Sequence, residues 1–490
     1  MGGGFNVTRR TMIGSSASAM LLGSACAHVP ASALSKDVAL LRRAYETLHP
    51  GLYRYNTPSE MSGHFDRLAA AWSAGQTRAQ AYLSLSRFLA RVRCGHTYAN
   101  FFNQTKAAST ELFSGRDKLP FHFRWIGGRM IVTDGKGVED LRPGDEISAI
   151  NGRSGAEILR TLLPFTRADG SNDAKRVAQL NVIGLERIET FDVFNALLHP
   201  SPETVALSVR STRDGARRTV TAPLITLEQR RAQMAQDIDD ETRPVFSLEF
   251  APGNVAMLKM PNWALYDSKW DWKGFIDDAF RQMSDRRSPA LIVDLRGNEG
   301  GLDCGDEVIA RLIGADLQRA AYERRVRYVK TPTDLDPFLD TWDDSFRDWG
   351  ADAVRIDDRY YRLLEEDGES RAPIRAKGPR FNGKVIVLVD ASNSSATFQF
   401  ANLVQANRLG TLVGEPTGGN LRGINGGAFF FLRLSESGLE ADLPLIGTFP
   451  QTPQPDAGVV PDVIASISPT DIATGRDSAM ETALAIASRA

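Results

Sequence analysis

The sequence predicts an α/β protein with a helical domain and a β-rich module ahead of the α/β core, and three observations carry that reading. In the second half, apolar strand-like runs at residues 255–260, 290–295 and 385–389 alternate with helix-period segments at 270–283 and 397–407. From residue 35 to about 102 the pattern is helical throughout, and from residue 119 it changes to short strands bounded by Gly turns. Hydrophobic residues make up 42% and charged residues 24% of the 490, the mix of a chain that buries a core.

The N-terminal 33 residues read as an address rather than as fold. Thr8-Arg9-Arg10-Thr11-Met12-Ile13 sets twin arginines before a Gly/Ser-rich apolar run at 12–25, too short to span a membrane. Ala25-Cys26-Ala27 and Ala31-Ser32-Ala33 are both small-x-small cleavage candidates. The block resembles a twin-arginine export signal, which implies a periplasmic or extracellular protein. Cys26 also admits a lipid anchor, although Gly23 stands where a large aliphatic residue is usual.

Residues 34–115 are expected to form a helical cap domain. Leu40, Leu41, Tyr45 and Leu48 recur at helical spacing until His49-Pro50-Gly51 stops the run. Further amphipathic runs cover 61–72 and 79–92, and the last ends in Arg93-Cys94-Gly95-His96-Thr97-Tyr98, where Gly95 breaks the helix beside a histidine. Residues 116–235 follow as a β-rich module. Strand patterns at 122–125 and 130–133 flank Ile126-Gly127-Gly128, a hairpin signal. The turn–strand–turn at 141–152, with a helix pattern at 155–163, resembles a PDZ module. The α/β core then occupies 240–490, interrupted by a charged, aromatic stretch at 317–380 that reads as an insertion over the core, covering the site.

Composition narrows the function. Lys plus Arg number 58 against 60 Asp plus Glu, a net charge of −2, which argues against a nucleic-acid partner. No apolar stretch reaches transmembrane length. Three cysteines, Cys26, Cys94 and Cys304, neither build a disulfide framework nor carry zinc-site spacing, so no metal or organic cofactor is expected.

Two blocks can do chemistry. In Leu291-Ile292-Val293-Asp294-Leu295-Arg296-Gly297-Asn298-Glu299-Gly300-Gly301 an apolar strand enters a polar Gly-rich turn, where backbone N–H groups can approach a ligand closely. In Val387-Leu388-Val389-Asp390-Ala391-Ser392-Asn393-Ser394-Ser395-Ala396-Thr397 a strand enters a Ser-rich turn and then a helix. A serine there is either a helix cap or a nucleophile at the positive end of the helix dipole.

The two blocks in this order, followed by Gly414-Glu415-Pro416-Thr417-Gly418-Gly419 and Gly458-Val459-Val460-Pro461-Asp462, resemble one family. It is the serine peptidase family of the C-terminal-processing (tail-specific) proteases and the tricorn core protease. The resemblance spans about 246–466 and implies a stacked β-α core similar to the crotonase and Clp protease superfold. It implies Ser395 as nucleophile and the Ala396 N–H as one oxyanion donor, with the other from Gly300 or Gly301. The tail-specific branch uses a lysine base, but its position falls on Asn420, and nearby Arg422 cannot lose its proton. The tricorn-like branch uses an N-terminal histidine, and Cys94-Gly95-His96-Thr97 resembles that motif, with Gly95 in place of a serine. The resemblance therefore implies His96 as general base and a downstream carboxylate, Asp456 or Glu415, to orient it. Of the other histidines, His28 leaves with the signal, His49 sits at a helix stop, and His64, His122 and His199 carry no signature. With a histidine base, activity is expected to fall as pH drops through roughly 6 to 7. The implied protein is an exported serine peptidase acting on extended peptides without a cofactor. The alternatives are a non-catalytic binder on the same fold and an esterase using the same residues.

Overall fold

Capping residues define where the second and third helices begin. The computed structural model describes residues 28–234, 240–319, 322–364 and 372–489. Helix Pro58–Trp72 starts three residues before the apolar pattern does, because Thr57 and Glu60 close a capping box around its first turn. Thr77 and Gln80 do the same for Arg78–Arg91. Helix Ala31–Leu48 ends at His49, and its buried stripe of Leu34, Val38, Leu41, Tyr45 and Leu48 packs with Phe65, Leu68, Tyr82 and Leu85 of the other two. The export signal expected at 1–33 lies outside the described residues as far as Ala27. His28–Val29 already pairs with Gln76–Thr77, and Ala31-Ser32-Ala33 lies inside a helix. No helix among the described residues is long and apolar enough to cross a membrane.

Residues 122–223 form a six-stranded antiparallel sheet ordered His122–Ile126, Arg129–Asp134, Glu146–Ile150, Thr204–Arg210 and Arg217–Pro223, with Arg153–Ser154 pairing Glu146–Ile150 off that path. Gly127 (φ +55°) and Gly128 (φ +74°) make its first hairpin, the left-handed pair that a two-residue turn needs. Helix Gly155–Leu162 is capped by Ser154.

The core sheet runs Val463–Ile464, Thr411–Gly414, Lys384–Val389, Ala290–Asp294, Val255–Lys259, Ser247–Ala251. All neighbours are parallel except the last pair. Every residue of Ala290–Asp294 is buried, as expected for a parallel strand covered on both faces. Leu291, Val293, Val385 and Val387 face helices Trp272–Asp285 and Ser395–Ala406, while Ile292, Ile386 and Leu388 face Ser478–Ser488. Both chemistry-bearing turns leave the carboxyl ends of adjacent parallel strands, the place where open α/β sheets bind ligands.

A third, antiparallel sheet runs Leu339–Asp340, Asn425–Leu434, Leu439–Pro450, Tyr322–Val326, Tyr361–Leu363, Ala353–Arg355. The stretch expected as an insertion at 317–380 thus supplies four of its six strands. Those strands are two to five residues long and rich in Arg and Asp, so no alternation betrays them. This sheet packs on the first helix: Tyr45 Oη donates to Asp442 O at 2.8 Å, and Asp37 accepts from Ser437 N at 2.7 Å. That packing carries the end of the helical segment, with His96, to the core.

Candidate active site

Buried amides stitch the two turns together. Asn393 is fully buried; its Nδ2 donates to Leu295 O at 2.6 Å and Asn298 O at 3.0 Å, and its Oδ1 accepts from Asp390 N at 2.8 Å. Asp390 in turn accepts from Gly297 N at 3.0 Å, and Thr397 Oγ1 donates to Asn298 O at 2.9 Å. Neither strand end can shift without breaking bonds to the other.

Ser395 opens helix Ser395–Ala406 with φ +52°, a left-handed conformation uncommon for a non-Gly residue. Ala396, one residue on, is among the first N–H groups of the helix, which have no partner within it. Gly300 (φ +105°) lies against this turn: a Cβ there would stand 2.8 Å from Ser394 O, 2.9 Å from Ala396 N and 2.9 Å from Ser395 Cβ. The Gly300 N–H is committed to Asn298 Oδ1 at 2.9 Å. Gly301 (φ +139°) presses on the Trp263 backbone. Gly300→Ala should therefore lower kcat at least about 100-fold by displacing the serine turn. Steady-state hydrolysis, with thermal unfolding to verify the fold, checks this; an unchanged rate would show that the contact is not limiting.

His96 arrives on a loop pinned at several points. Gly95 N donates to Asp169 Oδ1 at 2.9 Å, Arg167 Nε to Gly95 O at 2.9 Å and Gly170 N to Arg93 O at 2.9 Å. His49, fully buried, bonds Thr97 Oγ1 through Nε2 at 2.8 Å and accepts Gly51 N at Nδ1 at 3.0 Å. With both ring nitrogens engaged and burial pushing its pKa down to about 3, His49 is a structural brace for the His96 loop.

A cleft of about 160 Å³ brings together His96, Arg167, Asp169, Lys175, Glu299 and Ser394. Ser395 does not line it; the adjacent Ser394 does, with its Oγ donating to Glu299 O at 3.1 Å. Lys175, nearly buried, donates to Glu299 Oε1 at 2.6 Å and Ser392 O at 2.9 Å. Arg167 lies over the Tyr98 ring, 3.7 Å from its centroid. Burial raises the Glu299 carboxyl, but the Lys175 and Arg167 cations outweigh it and hold the group below its usual range. Burial lowers His96 from its ordinary 6.5; Asp169 opposes this, while Arg167 and Lys175 reinforce it. The balance disfavours the imidazolium, so a base at this position would titrate below the ordinary histidine range.

The remaining residues read from sequence fall elsewhere. Asp456 does not meet His96: its Oδ1 accepts from Ser171 N at 2.9 Å and Asn420 Nδ2 at 2.7 Å, and its Oδ2 from Ser171 Oγ at 2.9 Å and Arg93 Nη2 at 3.3 Å. Glu415 sits beside Asp390, and burial raises its pKa. Cys94 and Cys304 are buried thiols, Cys94 pushed up by burial to about 11. Val459 and Asp462 of the closing motif bond the Thr417 hydroxyl (2.9 Å) and Leu412 N (2.8 Å), a bracing role. Sequence reasoning missed Arg167, Asp169 and Lys175. Their segment carries no motif, and only Asp169-Gly170, a turn signal, marks it.

No curated protein sequence matches the chain. Among solved structures, mature CPAF complexed with lactacystin is 14% identical, with 93% of this chain and 98% of that one covered, at a TM-score of 0.63. Mature CPAF alone is 15% identical, covering 93% and 96%, again at 0.63. The photosystem II D1 C-terminal processing protease also matches, at 15% identity over 89% of this chain and 93% of that one, with a TM-score of 0.41. The CPAF likeness shows the fold. The sequence model described as Peptidase family S41 matches residues 254–427, the segment that holds the Gly-rich turn, the serine turn and the Gly414–Gly419 motif. The match covers about a third of the chain, and over that segment the chain is similar to the serine peptidases of family S41.

Proposed function

We propose that the protein is an exported serine peptidase that hydrolyses peptide bonds through an acyl-enzyme at Ser395, with His96 as general base. The observation that carries this is the Ser395 turn. A left-handed serine at a helix N-terminus, held against Gly300, leaves its hydroxyl with no hydrogen-bond partner among the described residues, whereas Ser394 Oγ is tied to Glu299 O. His96 takes the Ser395 proton as the oxygen attacks the scissile carbonyl, and returns it to the leaving amine. The Ala396 N–H, with an N–H from the Gly300-Gly301 turn, receives the oxyanion. Gly301 fits that second role better, since the Gly300 N–H is already bonded to Asn298.

Residues 34–115 act as a cap that delivers the base. Residues 116–235 act as a PDZ-like arm, and 240–490 as a crotonase/Clp-like core. The antiparallel sheet at 122–223 with its helix Gly155–Leu162 supports the arm, because a sheet edge can take up extended peptide. Labelling with a fluorophosphonate, followed by peptide mapping, tests the site: label on Ser395 supports the acyl-enzyme. An unlabelled, folded protein would return the chain to a non-catalytic binder. A peptide-and-ester panel separates peptidase from esterase. Export rests on Arg9-Arg10 and the apolar run after them. Replacing both with Lys should leave uncleaved precursor in the cytoplasm, and normal processing would remove the twin-arginine reading.

A further inference from the structure

A histidine base works only when one ring nitrogen is fixed, so that the other faces the nucleophile. His96 Nδ1 is buried and has no hydrogen-bond partner. Asp169 Oδ2 is in the same condition. One atom donates in the tautomer that a base requires, and the other accepts. The segments that carry them are already joined by Gly95 N to Asp169 Oδ1 at 2.9 Å and Arg167 Nε to Gly95 O at 2.9 Å.

The glycine before the histidine makes this approach possible. A Cβ at Gly95 would lie 2.7 Å from Asp169 Oδ2 and 3.3 Å from its Cγ, so any side chain there would displace the carboxyl. Asn420 adds a tether, donating from Nδ2 to Asp169 O at 3.2 Å and to Asp456 Oδ1 at 2.7 Å. The residue in the lysine position of the tail-specific pattern therefore joins two carboxylate-bearing segments.

The geometry points to Asp169 as the positioning carboxylate for His96, accepting the Nδ1 proton through Oδ2, with Asp456 acting at one remove through Asn420. This rests on the reading of His96 as the base. Catalytic hydrogen bonds are often long before substrate binds, and closing the Nδ1–Oδ2 gap completes the pair. His96 is faced by Asp169 and Arg167 on one segment, Lys175 on helix Asp173–Ala178 and Glu299 on the Gly-rich turn. Asp169 is faced by His96, Arg54 and Lys175, with Tyr55 and Cys94 beside it.

Asp169→Asn should lower kcat by about 10³–10⁴-fold with KM little changed, as loss of an orienting carboxylate does. It should also move the acid limb of the residual activity to lower pH, because the lost negative charge is the one that holds the His96 pKa up. Asp456→Asn should reduce kcat by less and leave that limb where it is. The reverse pattern, a limb moved by Asp456→Asn and not by Asp169→Asn, would overturn the assignment. Unchanged kcat in Asp169→Asn while Ser395→Ala is inactive would sink Asp169 alone; an active Ser395→Ala would sink the acyl-enzyme reading instead. If Asp169→Asn fails to fold, Gly95→Ala puts the same question by pushing the carboxyl aside. A lowered kcat with a displaced limb supports Asp169, and wild-type values for both overturn it.

Discussion

Ser395→Ala should lose at least about three orders of magnitude in kcat and keep near-normal substrate affinity. The hydroxyl projects from the first residue of helix Ser395–Ala406, where the unpaired N–H groups and the helix dipole favour a developing negative charge. Its backbone is held at φ +52° by a turn bonded on both sides to the Gly-rich block, so the alanine variant keeps the same frame and loses only the nucleophile. Ser394→Ala is the matched control. It removes the single bond from Ser394 Oγ to Glu299 O, worth about 1 kcal/mol, and should leave most of the turnover. An inactive Ser394→Ala beside an active Ser395→Ala would move the nucleophile by one residue. Two active variants would end the acyl-enzyme mechanism.

What the sequence reveals of this fold follows the range of the interactions involved. The strands at Ala290–Asp294 and Lys384–Val389 are continuous apolar runs ending in Gly- and Ser-rich turns, and local pattern alone marks both. The helix pattern at 61–72 begins at Pro58 in the structure because Thr57 and Glu60, which carry no apolar signal, close its first turn. The third sheet stays hidden, since Tyr322–Val326 and Tyr361–Leu363 gain their partners from residues 447–450 and 353–355 rather than from any alternation of their own. Asp169 is illegible for the same reason: its place depends on residue 95 meeting residue 169, a pairing that exists only after the helical segment docks. Asp456 is legible through its neighbourhood to the Gly-Val-x-Pro-Asp motif, yet Ser171, Asn420 and Arg93 occupy its carboxylate. Motif order locates the right region there, and only packing distinguishes a carboxylate placed beside His96 from one that braces its loop.

His96→Ala should abolish measurable turnover, and in the wild type activity should persist to pH values below the ordinary histidine 6.5 before it falls. The sign follows from the protonation state that the mechanism uses. The base must be neutral to accept the Ser395 proton, so activity is full above the His96 pKa and lost below it. Burial disfavours the imidazolium and lowers that pKa, with Arg167 and Lys175 adding repulsion, so the acid limb moves down, while Asp169 limits how far. A pH–kcat/KM profile that falls with a midpoint above 6.5 would contradict a buried histidine base. His49 provides the contrast. It lies closer to the helix stop, fully buried, with Thr97 and Gly51 on its two nitrogens and a pKa near 3. His49→Ala should lower thermal stability and loosen the His96 loop, yet leave the acid limb of the remaining activity unmoved. Complete loss in His49→Ala beside near-normal rates in His96→Ala would transfer the base to His49 and detach the helical segment's catalytic role from residue 96.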